Sequence, residues 1–476
     1  MVSFILSIVA LIVGYLIYSK VVEKAFGADD NIKTPAIRLE DGVDYVVMPG
    51  WKIFLIQFLN IAGTGPIFGA IAGALWGPVA FLWIVLGSIF AGGVHDYLSG
   101  MLSVRHDGAS IPEVVGKYLG PGFKNFMRVF SVVVLILVGV VFITTPANLL
   151  ASLTPASLDA NFWVWVIFGY YILATLLPID KLIGKIYPIF GVCLLLMAIG
   201  VSGGMILGGY KIPEITLTNL HPEKLPIWPL MCISIACGAI SGFHSTQSPL
   251  MARCITTEKQ GRAIFYGSMI AEGVVALIWA AAAIAFFGST EELNAQMTAN
   301  GGQGWVVSTI SNTLLGQFGG ALAILGVVAC PVTSGDTAFR SARLTIADFL
   351  NYKQGAIKNR LVITLPLFAI GFVLTRIDFN ILWRYFAWSN QTLAMIVLWA
   401  SAMYLALRKQ VHWIATVPAT FMTVVCITYI LAAPEGFQLA YSIAYPAGIA
   451  AAIAALTIFL IAVNKKLKTQ NANVKE

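Results

Sequence analysis

Apolar segments recur from one end of this chain to the other, many of them roughly 18 residues or longer. A segment of that length with few charges crosses the hydrocarbon core of a bilayer as a helix. A helix also satisfies its own backbone polar groups in lipid, so a chain of such segments folds as an all-α membrane bundle. Composition agrees. Of 476 residues, 58% are hydrophobic and 11% are charged, against roughly 25% charged in a soluble domain. A large soluble core is excluded, because its outer helices would need polar faces.

About thirteen spans are expected, at 2–19, 51–76, 79–101, 125–150, 161–178, 182–208, 226–252, 263–287, 319–349, 360–374, 379–407, 411–432 and 441–463. The start is apolar directly after Met1-Val2-Ser3 and has no basic stretch before it, so the first span reads as a retained helix. The six cysteines lie in or beside apolar segments and form no Cys-x-x-Cys pair, so they read as small buried hydrophobes.

The net charge is +7, but the basic residues do not gather into a stripe that would hold nucleic acid. They alternate along the loops. Lys20, Lys24, Lys33 and Arg38 precede the second span, Arg105, Lys117 and Lys124 follow the third, and Arg253, Lys259 and Arg262 follow the seventh. Arg408, Lys409 and the C-terminal lysines complete that side, while the loops between carry few cations. The positive-inside rule then puts the N-terminus outside and the C-terminus in the cytoplasm. No G-x-x-x-x-G-K-[ST] loop is present to bind a nucleotide phosphate, and no nucleophile–base pair stands out. The expectation is therefore neither an ATP-driven pump nor an enzyme, and no cofactor is called for beyond a coupling ion, Na⁺ or H⁺.

Two spans carry Gly/Pro interruptions. The second contains Asn60-Ile61-Ala62-Gly63-Thr64-Gly65-Pro66. The seventh contains Gly238-Ala239-Ile240-Ser241-Gly242-Phe243-His244-Ser245-Thr246-Gln247-Ser248-Pro249. Unwound backbone at membrane depth survives only where it is buried or lines a polar cavity. Paired interruptions at matching places in two halves indicate an inverted repeat with a binding site between the halves. The expected organisation is an extra helix and loop over 1–50, one repeat over 51–208, a second over 226–408, and two added helices with a basic tail over 411–476.

The runs Asn60 to Pro66, Gly92-Gly93-Val94-His95-Asp96-Tyr97, Gly242-Phe243-His244-Ser245 and Asp336-Thr337-Ala338-Phe339-Arg340-Ser341-Ala342-Arg343 resemble the carbon starvation protein A (CstA) family. The resemblance extends from about Lys20 to Arg408; this chain is shorter than the longer family members, with fewer C-terminal helices. It implies a bacterial inner-membrane uptake protein of the LeuT-like 5+5 inverted-repeat fold, associated with peptides and, in some members, pyruvate. By the same resemblance, the Cys330 carbonyl and the Thr333 and Ser334 hydroxyls would face the Leu59 and Ala62 carbonyls. Such an all-oxygen set suits a hard cation such as Na⁺. Lys185 either snorkels to the interface or occupies that place and couples transport to protons.

Ionisable residues within spans are functional candidates. His95 and Asp96 are either a working pair or a helix-end pair facing water. Glu272, near mid-span, is a candidate proton carrier or a structural hydrogen-bond partner. Asp336 is a further polar membrane residue. For substrate, the half-helix termini near Gly63, Thr64 and Gly65 and near Ser245 and Gln247 would attract a carboxylate, with hydrogen bonds from Asn60 and His244. Arg384 and Asn390 would line the outer vestibule, Arg384 as a gate charge or carboxylate clamp. The leading expectation is an ion-coupled symporter importing a small carboxylate-bearing nutrient, short peptides ahead of pyruvate, during nutrient limitation. A channel or a nutrient sensor is the competing class.

Overall fold

In lipid the backbone has no solvent to bond with, so every apolar run closes its hydrogen bonds as a helix. The computed structural model describes residues 1–42, 44–176 and 179–473; the side chains of 152, 175, 176, 179–186, 318, 322, 323 and 471–473 lie outside that set. Among the described residues, 11 helices are long and apolar enough to span a membrane, a bent pair makes a further span, and one shorter apolar helix completes the series.

The spans are α1 (Val2–Phe26), α2 (Gly50–Ala62 continuing as Gly65–Trp76), α3 (Val79–Arg105), α5 (Pro121–Leu153), α6 (Ala160–Leu176), α7 (Ile179–Leu207), α8 (Ile227–Ala252) and α9 (Arg262–Phe287). They continue with α11 (Gln303–Leu350, interrupted at Gly316, φ 68°, so that Gly319–Leu350 is the span), α12 (Ile357–Leu374), α13 (Phe379–Leu407), α14 (Trp413–Ala432) and α15 (Tyr441–Asn473). Two short helices lie in the connections. They are α4 (Ile111–Leu119) and α10 (Thr290–Ala299), the latter capped by Ser289, whose hydroxyl accepts the Glu292 N–H. Both lie in stretches outside the expected spans. The expected first helix ended at residue 19, whereas α1 runs on until Gly27, whose left-handed backbone (φ 74°) turns the chain out. The expected end of the fifth helix at 178 falls outside the described residues.

The first interruption is where the sequence put it. Helix α2 stops at Ala62, Gly63 takes φ 42°, ψ −141°, and the chain restarts at Gly65 with a 54° bend. The second lies earlier than expected. Helix α8 breaks over residues 236–241, with Ala236 at φ 42° and Ser241 extended, and then runs unbroken from Gly242 to Ala252. Pro249 does not break it, because a proline this close to the end of a short helix removes a single internal bond. His244, Ser245 and Gln247 therefore stand on an ordered half-helix.

The two breaks abut. A Cβ on Gly65 would lie 2.2 Å from the Cys237 Cβ, and one on Gly69 would lie 2.6 Å from the Ile235 carbonyl oxygen. Small residues are what let two backbones approach so closely within a membrane bundle. Helices α1 and α15 sit at the edge, with Ile5, Leu6, Ile12, Ile449, Ile453 and Ile461 exposed as a lipid-facing surface would be.

Candidate functional site

A row of buried ionisable side chains runs from α3 through α8 to α9. In α3 the turn Ser88–Gly92 widens into a π-helical turn, a distortion frequent at functional sites. His95 and Asp96 follow it. The Asp96 carboxylate lies 2.7 Å from His95 Nδ1 through one oxygen and 2.8 Å from His244 Nδ1 through the other. On the far side of the ring, His244 Nε2 lies 3.3 Å from a Glu272 oxygen, close but not aligned as a hydrogen bond. All four side chains are 0% exposed. His95 and Asp96 are thus not a helix-end pair facing water. An imidazole between two carboxylates donates to one when neutral and to both when protonated, so the row can hold a mobile proton.

The second break is held by amides from α13. Asn390 Oδ1 accepts the Phe243 N–H (2.6 Å), and its Nδ2 donates to Ser241 Oγ (2.9 Å). Gln391 Nε2 donates to the Cys232 carbonyl (2.6 Å), and Ser88 Oγ donates to the Gly238 carbonyl (3.2 Å). These bonds replace those that the unwound backbone gives up. Asn390 is accordingly spent on capping the half-helix rather than lining a vestibule. Ser245 Oγ is likewise turned onto the Gly242 carbonyl of its own turn. Gln247 donates to Thr246 Oγ1 and keeps a buried carbonyl oxygen without a partner among the described residues.

Beside the first break, Gln57, Asn60 and Thr64 are 0% exposed, and their side-chain polar atoms have no hydrogen-bond partner among the described residues. Each such group costs about 1–3 kcal/mol if left unmet, so this stripe suits a polar ligand or water. Gln57 was missed in the sequence. Its spacing of three from Asn60 was the available signal.

On α11, Ser334 Oγ donates to the Leu59 carbonyl (2.9 Å), while Thr333 Oγ1 turns back to the Ala329 and Cys330 carbonyls (2.9 and 2.8 Å). Of the oxygens expected around a cation, Ser334 Oγ and the Leu59 carbonyl meet, while Thr333 Oγ1 stays on its own helix, and Ala62 ends the half-helix. However, Ser334 and Leu59 are bonded to each other, so a Na⁺ ion would have to displace that bond. One turn on, Asp336 meets the Tyr187 hydroxyl (3.2 Å) and Arg340 (3.7 Å), and Arg340 donates to the Ala174 carbonyl (3.0 Å). The Lys185 side chain lies outside the described residues. No group of three or more His, Cys, Asp or Glu side chains suited to a metal occurs among the described residues.

On the face opposite the loop cations, a cavity of about 650 Å³ opens between α2, α5, α10, α11 and α13, lined by Phe68, Thr145, Asn148, Gln303, Trp305 and Asn380, among others. Arg384 does not line it. Its half-exposed guanidinium lies 3.2 Å from Glu435 in the α14–α15 connection. On the basic face, Arg105 pairs with the fully buried Glu258, which also accepts the Asp29 N–H (2.8 Å). Arg38 pairs with Asp107, and Thr34 Oγ1 donates to the Ile255 carbonyl (2.6 Å). The α1–α2 connection is thus tied down on this face, beside a cavity of about 610 Å³ lined by Arg105, His106, Glu113, Lys117 and Lys124, among others.

Known proteins agree with this architecture. The chain matches the family model described as carbon starvation protein CstA over residues 1–158 and 153–314. An uncharacterized membrane protein of Haemophilus influenzae is 44% identical over 63% of this chain and 95% of its own length. The peptide transporter CstA of Escherichia coli is 24% identical over 92% of this chain and 80% of its own. The pyruvate/proton symporter BtsT of the same organism is 24% identical over 57% of this chain and 47% of its own. Among solved structures, MhsT in complex with L-phenylalanine superposes with a TM-score of 0.54 at 15% identity, covering 88% of this chain and 99% of that one. The Eremococcus coleocola manganese transporter mutant H236A gives 0.53 at 13%, covering 90% and 99%. The fold is therefore the LeuT-like inverted repeat of secondary transporters. The chain belongs to the CstA family.

Proposed function

We propose that this transporter is a proton-coupled symporter of the bacterial inner membrane, with its basic face in the cytoplasm. It imports a small carboxylate-bearing nutrient, short peptides first, by alternating access around the two breaks. The observation that carries this reading is the buried row His95–Asp96–His244–Glu272, which joins the second break to two neighbouring helices. Coupling requires that a proton bind beside the element that moves, and His244 stands on that element. Protonation of Glu272 or His244 would change which neighbour each can bond, biasing the half-helix between two positions. The unspent polar groups of Gln57, Asn60 and Thr64 supply hydrogen bonds for cargo entering from the 650 Å³ vestibule.

The printed names of relatives favour peptide and, second, pyruvate. The same BtsT name supports H⁺ over Na⁺, as does the Ser334–Leu59 bond across the expected cation place. Counterflow and gradient-driven uptake of labelled dipeptide and pyruvate in proteoliposomes test the reading. Accumulation that survives sodium removal and collapses with a protonophore is expected. Binding without accumulation under any ion gradient would instead identify a sensor, and flux far above carrier turnover a channel.

A further inference from the structure

At the basic face a second, unrelated feature stands on the flank of the bundle. An apolar groove of about 400 Å³ runs between α4, α5, α13, α14 and α15, walled by Phe123, Met395, Trp399, Met403, Phe459 and Ala462, among others. The indole N–H of Trp399 is spent on Thr423 Oγ1 (3.1 Å), which leaves the walls without a free donor from that ring. The groove lies beside the lipid-facing edge of α15, where Ile458 and Ile461 are exposed.

Lys466 and Tyr118 line its end, and two further cations, Lys117 and Arg408, stand about Tyr118. Lys466 Nζ donates to the Tyr118 carbonyl (2.7 Å), Lys117 Nζ lies 3.3 Å from His106 Nδ1, and Arg408 lies over the Tyr404 ring at 4.9 Å. Tyr118 ties them together, with its hydroxyl 2.7 Å from His106 Nε2 and its ring edge-on to Tyr404. None of the three has a carboxylate partner among the described residues. The nearby acids are already taken: Glu113 by Lys124 and Arg128, Asp107 by Arg38, Glu258 by Arg105. The mouth of an apolar groove thus carries uncompensated positive charge at the membrane border, which is the chemistry that recognises an anionic lipid headgroup.

We propose that this groove binds an anionic phospholipid, with an acyl chain along Met395, Trp399 and Met403 and the phosphate among Lys117, Arg408 and Lys466. The lipid would clamp α15 and α4 to α13. The site is independent of the transport reading.

Thermal unfolding of the purified full chain in detergent tests it. Phosphatidylglycerol should raise Tm in a concentration-dependent way, as a ligand of the folded state does. Phosphatidylcholine with the same acyl chains should raise it less, and glycerol 3-phosphate, which has the charge without the chains, should not raise it. The triple variant Lys117→Gln/Arg408→Gln/Lys466→Gln should respond equally to the two lipids. The groove-filling Ala462→Trp should lose the response to phosphatidylglycerol, and the single Lys466→Gln should reduce it if the triple variant does not fold. Equal stabilisation of the unaltered chain by both lipids, a full response to glycerol 3-phosphate, or an undiminished preference in the cation variants would overturn the proposal.

Discussion

Asp96 Oδ2 stands 2.8 Å from His244 Nδ1, joining the segment after the widened turn of α3 to the second half of the broken helix α8. Both side chains are fully buried. In a membrane bundle such a contact is costly unless each charge is matched, and Asp96 is matched by imidazoles on both oxygens. Among the described residues Glu272 has only the unaligned His244 nitrogen. The row is therefore lopsided, with its least satisfied member on α9, and the proton coupling proposed above would hold its proton there.

Glu272→Gln and His244→Asn should each cut gradient-driven uptake by about 10²-fold, the lower end of what a positioned proton-transfer group contributes. Counterflow, which needs no net proton movement, should persist. Paired uptake and counterflow assays on the same proteoliposomes check this; equal loss in both would mean that the residues only hold the fold.

Asn390→Leu should destabilise the protein by about 1–3 kcal/mol, because it leaves the Phe243 N–H buried without an acceptor. Asn390→Asp keeps an acceptor oxygen and should retain more of the stability. Thermal unfolding in detergent reads the difference. Similar losses in both variants would show that the cap is unimportant.

How much of this was legible in the sequence follows from range. Helix existence depends on local hydropathy, so the long apolar runs were readable, as was the first break, where Gly63, Gly65 and Pro66 act on their own backbone. The second break was caught at 238–241 but drawn too late at both ends, because Ala236 carries no such mark and Pro249 does not interrupt the helix. That chain end is held open by Asn390, Gln391 and Ser88, which are distant in sequence. His95, Asp96, His244 and Glu272 were each visible as polar residues in apolar segments, but their union depends on how α3, α8 and α9 pack. The tie by Arg105, Glu258 and Asp29 was hidden for the same reason.

Gly65→Leu should abolish transport while leaving membrane insertion intact, since even the Cβ would collide with Cys237 at 2.2 Å and force the breaks apart. Gly65→Ala should be partly rescued by Cys237→Gly, which removes the opposing Cβ and sulfur. Uptake normalised to protein in the membrane measures it, and an active Gly65→Leu carrier would contradict the abutting breaks.

His106 lies outside the spans, and burial with Lys117 beside it lowers its pKa to about 4. Arg408, Arg105, Asp107 and Tyr118 are its other neighbours. The folded state therefore binds fewer protons than the unfolded state between about pH 6.5 and 4. Stability should fall as pH drops through that window and level off below it. His106→Gln should flatten this part of the curve in thermal unfolding against pH; an unchanged slope would place the titration elsewhere.

The most direct measurement of the central claim is proton movement coupled to cargo. In sodium-free proteoliposomes enclosing a pH-sensitive dye, external dipeptide, or pyruvate if that is the cargo, should acidify the lumen. Glu272→Gln should abolish the signal while counterflow continues. Cargo accumulation that requires sodium, with no acidification in the unaltered protein, would contradict the account.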